Sequence, residues 1–547
     1  MLTPELQKNI DEKWNACWPL SALRPIVILD LISYLFFFKK ISGHILVSEN
    51  SENKLNPVFA NSNTKELATW STFKTLDEQN MHIVFTSENG VIDLVKKYHR
   101  NSAYDIFLKG NLLLTPTPKL LFNAAAIIRL TEDKDADTKG SIFEYLLNKA
   151  EVNEQNGQTF LPGYLAELMV SIIQPREKDW ILDPSAGNGS LLINCIKYIS
   201  KRNPEFSKNL IKNFDSGRFV GIESDLTNLR IAAMNMILHG IPNPELKLLN
   251  TSSSLSSITT EQPTAFIANL VFSAGENKTG GEGNSVREAT RKEVFHLNFI
   301  LKNCKAGARA AVIVPDAILY NNVAEIITIR QEIIDNFKLE GVISLNDKTS
   351  PQFFGASILI FSKEASAITD KVWFYEIESN EKNWKENTGA EKGIPNNSKS
   401  ILEQTSETAG IISQFRNKNS REENKNSNFF YIDANDIRSR NYNLSFNEYS
   451  LFIQQEIPVT PAESASGEKK IIINKIKNQP LFPAAEKTPD PPKRYAKKII
   501  IISSLSIVVL GIAFLAYWVF YLKKDIPFFN KSAAISAKAT DSTTVAP

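Results

Sequence analysis

Cysteine is scarce, with three in 547 residues. Cys17, Cys195 and Cys304 stand far apart, so neither a disulfide scaffold nor a C-x-x-C zinc site is expected, and the body reads as built for a reducing compartment. Histidine is nearly as rare, at five residues, and no H-E-x-x-H or comparable spacing occurs, so no metal site is expected. Charge of one sign is missing too. The formal net charge is +2, yet residues 451–547 carry 13 Lys/Arg against 7 Asp/Glu, which leaves 49 against 53 in residues 1–450. A slightly acidic body does not by itself neutralise phosphates, so nucleic-acid binding there requires a local basic patch or a partner. The opening residues show no basic stretch followed by an apolar core and a cleavage site, and no secretory signal is expected. No internal repeat is evident. What the chain does have is ordinary globular material. Its 43% apolar and 10% aromatic residues rule out a mainly disordered protein, and the length allows about two to four domains.

One apolar run stands out. Ile499 to Leu522 is 24 uncharged residues; as a helix at about 1.5 Å per residue it would cover about 36 Å, more than the roughly 30 Å of a bilayer's hydrocarbon core. Lys493, Arg494, Lys497 and Lys498 precede it, Lys523 and Lys524 follow it, and Tyr517, Trp518 and Tyr521 cluster near its far end like an interfacial belt. The sequence therefore predicts a transmembrane helix over 499–522. Its denser N-terminal basic flank places residues 1–498 in the cytoplasm, with a short polar tail, 523–547, on the other side. A second apolar block, Pro25 to Phe38, is interrupted by Asp30 and is too short to span, so it is expected as a core helix.

The remainder divides by pattern. Residues 1–138 read as a helical domain and 139–450 as the main domain. Between Gln158 and Leu345, β-rich apolar runs alternate with helical stretches, the signature of a parallel sheet covered on both faces. The strand candidates are Trp180–Leu182, Phe219–Ile222, Leu246–Leu249, Ala265–Ala268, Ala310–Val314 and Leu339–Ser344, with Ser357–Phe361 as a seventh. Residues 376–430, dense in Asn, Lys, Glu and Ser, read as an insertion or loose region, and the proline-rich stretch 451–498 as a linker.

Chemistry concentrates in the run from Trp180 to Leu192, where an apolar strand is followed by Asp183-Pro184-Ser185-Ala186-Gly187-Asn188-Gly189 and a helix start. Glycines at 187 and 189 let the backbone approach a ligand closely, and a helix N-terminus offers unpaired N–H groups. Further on, the strand Phe219–Ile222 ends in Glu223, where a carboxylate can accept both hydroxyls of a ribose. Strand, glycine turn, helix and next-strand acid, in that order, describe a crevice for a nucleoside cofactor.

With these motifs in view, the chain resembles the N-6 adenine DNA methyltransferases, and within them the modification subunits of type I restriction systems. The resemblance runs over about residues 1–450: Gly140–Leu147 (GSIFEYLL), Phe160-Leu161-Pro162, the D-P-S-A-G-N-G turn, Gly221-Ile222-Glu223, Leu229–His239 (LRIAAMNMILH), Ala265–Phe272 (AFIANLVF), Ala310–Pro315 (AAVIVP), Arg330 and Tyr442-Asn443-Leu444. It implies an α/β, Rossmann-like, class I methyltransferase domain preceded by a helical domain. The implied cofactor is S-adenosylmethionine, cradled by Asp183, Ser185, Gly187 and Gly189, with Glu223 on its ribose and Asn250 where an acid commonly faces its adenine. The implied substrate is DNA, read through a separate specificity subunit. Asn269 and Phe272 fall on the first and last positions of the family's catalytic Asn-Pro-Pro-Phe/Tyr, but Leu270 and Val271 replace both prolines.

That substitution bears on mechanism. Adenine's amine is a poor nucleophile, and a side-chain amide oxygen with a neighbouring backbone carbonyl must accept its hydrogens as the methyl arrives. The base must also be extruded and stacked on an aromatic face. Asn269 is the candidate for the amide oxygen and Phe272 for the stacking surface. Proline has a fixed φ and no N–H, so Leu270 and Val271 free the backbone and add two donors. Leu161 for the family's Thr is a further departure, and Ser273–Ser285 reads equally as a mobile substrate loop or a plain connection. His296, Met234 and Met236 read as packing residues. Two functions stay open: an adenine methyltransferase, and a non-catalytic relative that binds cofactor or nucleic acid as a membrane-tethered scaffold or sensor. RNA or protein glutamine as acceptor is also compatible with the tetrapeptide.

Overall fold

The computed structural model describes residues 2–17, 24–49, 69–87, 90–98, 115–153, 161–208, 218–249, 262–271, 282–346, 355–365, 369–378, 408–416 and 429–450. The chain divides into two units, Met1–Ile457 and Pro458–Pro547. The expected span 499–522, with its linker and tail, lies outside the described residues. Among the described residues, no helix is long and apolar enough to cross a membrane.

The strands are β1 (Ile181–Asp183), β2 (Phe219–Glu223), β3 (Glu245–Leu248), β4 (Ala265–Asn269), β5 (Arg309–Pro315), β6 (Lys338–Asn346), β7 (Ala356–Ser362), β8 (Lys371–Glu378) and β9 (Phe429–Asp433). They form one sheet in the order β3-β2-β1-β4-β5-β7-β6-β8-β9. β1 to β5 pair in parallel. The six strands expected between Gln158 and Leu345 share one direction, but the seventh, β7, lies between β5 and β6 and runs antiparallel to both, and β9 runs antiparallel to β8. The connection 347–355 is too short for the crossover of a dozen or more residues that a parallel neighbour needs. The region 376–430, expected to be loose, contributes the end of β8, a helix over 408–416 and the start of β9.

Alternation along the strands sends side chains to two cores. Ile181, Phe219, Ala265 and Ile267 face one layer, which includes the helices α5 (Gly163–Ile173) and α6 (Ser190–Arg202). Leu182, Val220, Phe266 and Ala268 face the other, with Leu297, Ile300 and Ile333.

Before the sheet come α1 (Pro4–Cys17), α2 (Pro25–Glu49), α3 (Pro118–Arg129) and α4 (Ala136–Asn153). The block from Pro25 to Phe38 is part of α2, as its apolar content implies, and Ile28, Leu29, Ile32, Leu35 and Phe37 are fully buried. The helix that follows β2, α7 (Leu226–Leu238), is apolar on nearly every side, and the reason is in its packing. Leu229, Ile231, Ala233 and Met234 join the core of the N-terminal helices, while Met236 belongs to the core beside the sheet. Met234 and Met236 are packing residues, as their setting in the sequence implies. Asp225 caps α7, its side chain accepting from Asn228 N–H at 2.8 Å.

Candidate active site

The strand order reverses between β1 and β4, and the carboxyl ends of β2, β1 and β4 lie side by side there. Open α/β sheets bind ligands at such a crevice. Asp183, Glu223 and Asn269 are the last residues of those three strands, so the sheet brings three of the expected site residues to one edge. Gly187 and Gly189 take positive φ, +53° and +76°, and Gly189 caps α6. An L side chain at either position would be strained. A Cβ on Gly189 would also come within 3.3 Å of Met236 Cγ, whereas one on Gly187 would, among the described residues, meet nothing nearer than Ser185 O at 3.9 Å. Gly187 therefore borders open space.

Backbone and carboxylate groups bind the turn together. Glu223 Oε2 accepts from Gly187 N–H at 3.0 Å, and Oε1 accepts from Ser224 N–H at 2.7 Å and Asp225 N–H at 2.9 Å. Burial pushes its pKa upward while these donors pull the other way. Ser224 Oγ at 3.3 Å is a third donor to Oε1, whereas among the described residues Oε2 takes Gly187 N–H alone, so the lone pair left for a hydroxyl is on Oε2. Asp183 is fully buried at 1% exposure. Its Oδ1 accepts from Ser185 N–H at 3.0 Å, and its Oδ2 is buried with no hydrogen-bond partner among the described residues. Burial first, and the Glu223 charge with it, raise the Asp183 carboxyl to about 7 against the pull of Ser185. A buried carboxylate oxygen left without a donor is an unmet demand that a cationic group would satisfy.

The tetrapeptide is joined to this turn. Ser185 Oγ donates to Asn269 O at 2.9 Å, a link that sequence spacing gave no sign of. Leu270 is fully buried, and its N–H donates to Ile313 O on β5 at 2.9 Å. Val271 N–H donates to Asn269 Oδ1 at 3.2 Å. Both donors are groups that proline lacks. The amide oxygen expected to receive adenine's amine is thus already engaged by its own backbone. Phe272 and Asn250 lie outside the described residues, as do residues 273–281; residues 282–285 begin the helix Glu282–Asn303 rather than a loop. His296, on that helix, is 8% exposed, with Nδ1 2.8 Å from Lys292 O, and burial lowers its pKa, as for a packed histidine.

A nine-stranded sheet with this order, carrying a glycine turn and an acid at its switch point, defines a Rossmann-like methyltransferase fold. The comparisons agree. The N-6 DNA methylase family matches residues 134–456, more than half of the chain, and the chain belongs to that family, whose cofactor is S-adenosylmethionine. It is 28% identical over 269 residues to the methylase subunit of the type I restriction enzyme EcoKI of Escherichia coli K12, covering 45% of this chain and 50% of that one. It is 25% identical over 364 residues to the EcoEI methylase subunit of Escherichia coli, covering 64% and 68%. The chain thus spans about half the length of the first of these curated relatives. Among solved structures, a chain of a type I R-M system superposes with TM-score 0.63 at 15% identity, over 93% of this chain and 99% of that one. The type I restriction-modification methyltransferase subunit of Streptococcus thermophilus gives TM-score 0.52 at 15% identity, over 81% and 98%. These two show the shared fold.

Proposed function

We propose that this protein is an S-adenosylmethionine-binding, modification-type adenine N-6 methyltransferase of DNA whose transfer step is attenuated, and that residues 499–522 tether it to a membrane. The observation that carries the attenuation is Val271 N–H on Asn269 Oδ1. Asp183, Ser185, Gly187 and Gly189 would hold the amino-acid part of the cofactor, and Glu223 and Asn250 its nucleoside part. When bound, the cofactor supplies an electrophilic methyl group.

The chain's own residues do the rest. Asn269 Oδ1 is the acceptor for one amine hydrogen, and the Val271 donor competes for the same oxygen. A neutral hydrogen bond of this kind is worth about 1 kcal/mol net, so the competition costs up to about tenfold in rate. Without prolines the neighbouring carbonyl is also less firmly aimed, and a 1 Å error there costs about a hundredfold. Phe272 would stack the extruded base. The acidic balance of residues 1–450 is in keeping with a separate specificity subunit that reads DNA. Family membership and the relatives named as type I methylase subunits favour DNA over other acceptors.

The test uses labelled S-adenosylmethionine and an oligonucleotide with unpaired adenines, which removes most of the flipping cost. Slow transfer by the wild type, accelerated in Val271→Pro, supports the proposal. Rapid transfer by the wild type would overturn the attenuation. Failure of the purified chain to float with lipid vesicles would overturn the tether.

A further inference from the structure

The helix α7 touches the cofactor turn through one polar side chain. Asn235 is 1% exposed, and its Nδ2 donates to the carbonyl of Asn188 at 2.9 Å. Asn188 is the residue between the two left-handed glycines, where the chain follows neither strand nor helix. Its own side chain is committed to Ser190 N–H at 3.1 Å, so its carbonyl is the remaining handle by which a neighbour can orient the peptide. Fixing that carbonyl also fixes the Gly189 N–H of the same peptide unit. Gly189 N–H in turn donates to Ala186 O at 2.7 Å, closing the turn.

The amide's orientation is set by this bond, since the reversed amide would put two oxygens together. Its Oδ1 is consequently buried with no hydrogen-bond partner among the described residues. Such an oxygen costs about 1 to 3 kcal/mol, and a leucine of similar size in this apolar helix would avoid the cost. That leucine would leave the Asn188 carbonyl without its donor, so the amide is kept for that carbonyl, which points to a role in the turn. The helix is placed firmly enough to act as a reference. Met236 packs against the Gly189 position, Arg230 is paired with Asp30, and the Asn235 carbonyl lies 2.8 Å from His239 Nδ1, whose Nε2 is 3.0 Å from Glu144 Oε1 on α4.

We propose that Asn235 is a positioning residue for S-adenosylmethionine: its amide holds the Asn188 peptide so that the Gly187–Gly189 turn is pre-formed for the cofactor. This rests on the cofactor reading above. Pre-formation spares the binding step the ordering of the turn, so the expected effect of losing the amide is on cofactor affinity.

The full chain, in detergent, is titrated with S-adenosylmethionine as wild type, Asn235→Leu and Asn235→Ser, and amide hydrogen exchange is read in parallel. The serine variant keeps a donor too short to reach Asn188, in case the leucine variant does not fold. The account expects about tenfold weaker binding, with faster exchange confined to residues 186–190 and unchanged protection in β4 and β5. Unchanged affinity, or a uniform rise in exchange over the whole sheet, would overturn the role of Asn235. Absence of binding by the wild type would instead overturn the cofactor reading. In that case the exchange pattern alone decides whether Asn235 holds the turn: local acceleration upholds it, and none refutes it.

Discussion

Asp30 and Arg230, 200 positions apart, meet in a two-pronged ion pair in which Nε donates to Oδ1 and Nη2 to Oδ2, both at 2.7 Å. Their side chains are 1% and 3% exposed. The acid that interrupts the apolar block of α2 is therefore the partner of the arginine in LRIAAMNMILH, and the pair ties the N-terminal helices to α7. Removing one member strands the other charge in the core. Asp30→Ala is expected to cost about 3 to 5 kcal/mol in a denaturant melt, and the double change Asp30→Leu, Arg230→Met to recover most of it. A loss below about 1 kcal/mol for the single variant would mean that the two sides are not coupled there.

The two lost prolines are not equivalent. Val271 is half-buried and its N–H is the donor on Asn269 Oδ1, so Val271→Pro frees the acceptor and is expected to raise the transfer rate by about tenfold. Leu270 is fully buried and its N–H belongs to the ladder with Ile313. Leu270→Pro removes that bond and part of a core side chain, and is expected to destabilise by about 2 kcal/mol or more. Single-turnover assays and thermal melts of both variants separate the two effects.

Asp183 gives cofactor binding a pH dependence. Burial, with the Glu223 charge, raises its carboxyl from 3.8 to about 7. A raised carboxyl contributes stability that is present below pH 3.8 and lost as pH rises to about 7, so the ligand-free Asp183→Asn variant is expected to be more stable than wild type at pH 7. The ionised form is the one that favours a cationic ligand. Affinity for S-adenosylmethionine should strengthen between pH 5.5 and about 7 in the wild type and be both weaker and flat in Asp183→Asn; titrations across that range check it.

Glu144 behaves in the opposite sense. Burial would raise it, but hydrogen bonding from His239 and the charge of Lys197 prevail and bring it from 4.5 down to about 2. A lowered carboxylate stabilises the fold above pH 4.5 and loses that contribution as pH falls toward 2. The stability gap between wild type and Glu144→Gln should therefore narrow on acidification through that window, as followed by denaturant melts at each pH.

The sequence's legibility followed from what each feature depends on. Seven strands were visible because their apolar runs are local, and the convergence of Asp183, Gly187, Gly189 and Glu223 was visible because it lies within one strand-turn-helix-strand unit. The direction of β7 is not written in its hydropathy, although the short connection 347–355 carries the signal. β8 and β9 are hidden in the sequence because Val372–Tyr375 and Phe429–Ile432 are embedded in Asn-, Lys- and Glu-rich chain that reads as loop. Asn235 stands between two packing methionines, and its neighbours in the sequence carry no sign of its bond to Asn188. The grip of Val271 on Asn269 depends on backbone direction after β4, which residue types alone do not fix.

A cofactor lodged against Gly187 is measured directly by equilibrium titration of the full chain with S-adenosylmethionine, side by side with Gly187→Val. The account predicts saturable one-to-one binding by the wild type and its loss in the variant, where the added side chain would occupy the open space at the turn. Equal binding by both proteins, or none by the wild type, would contradict it.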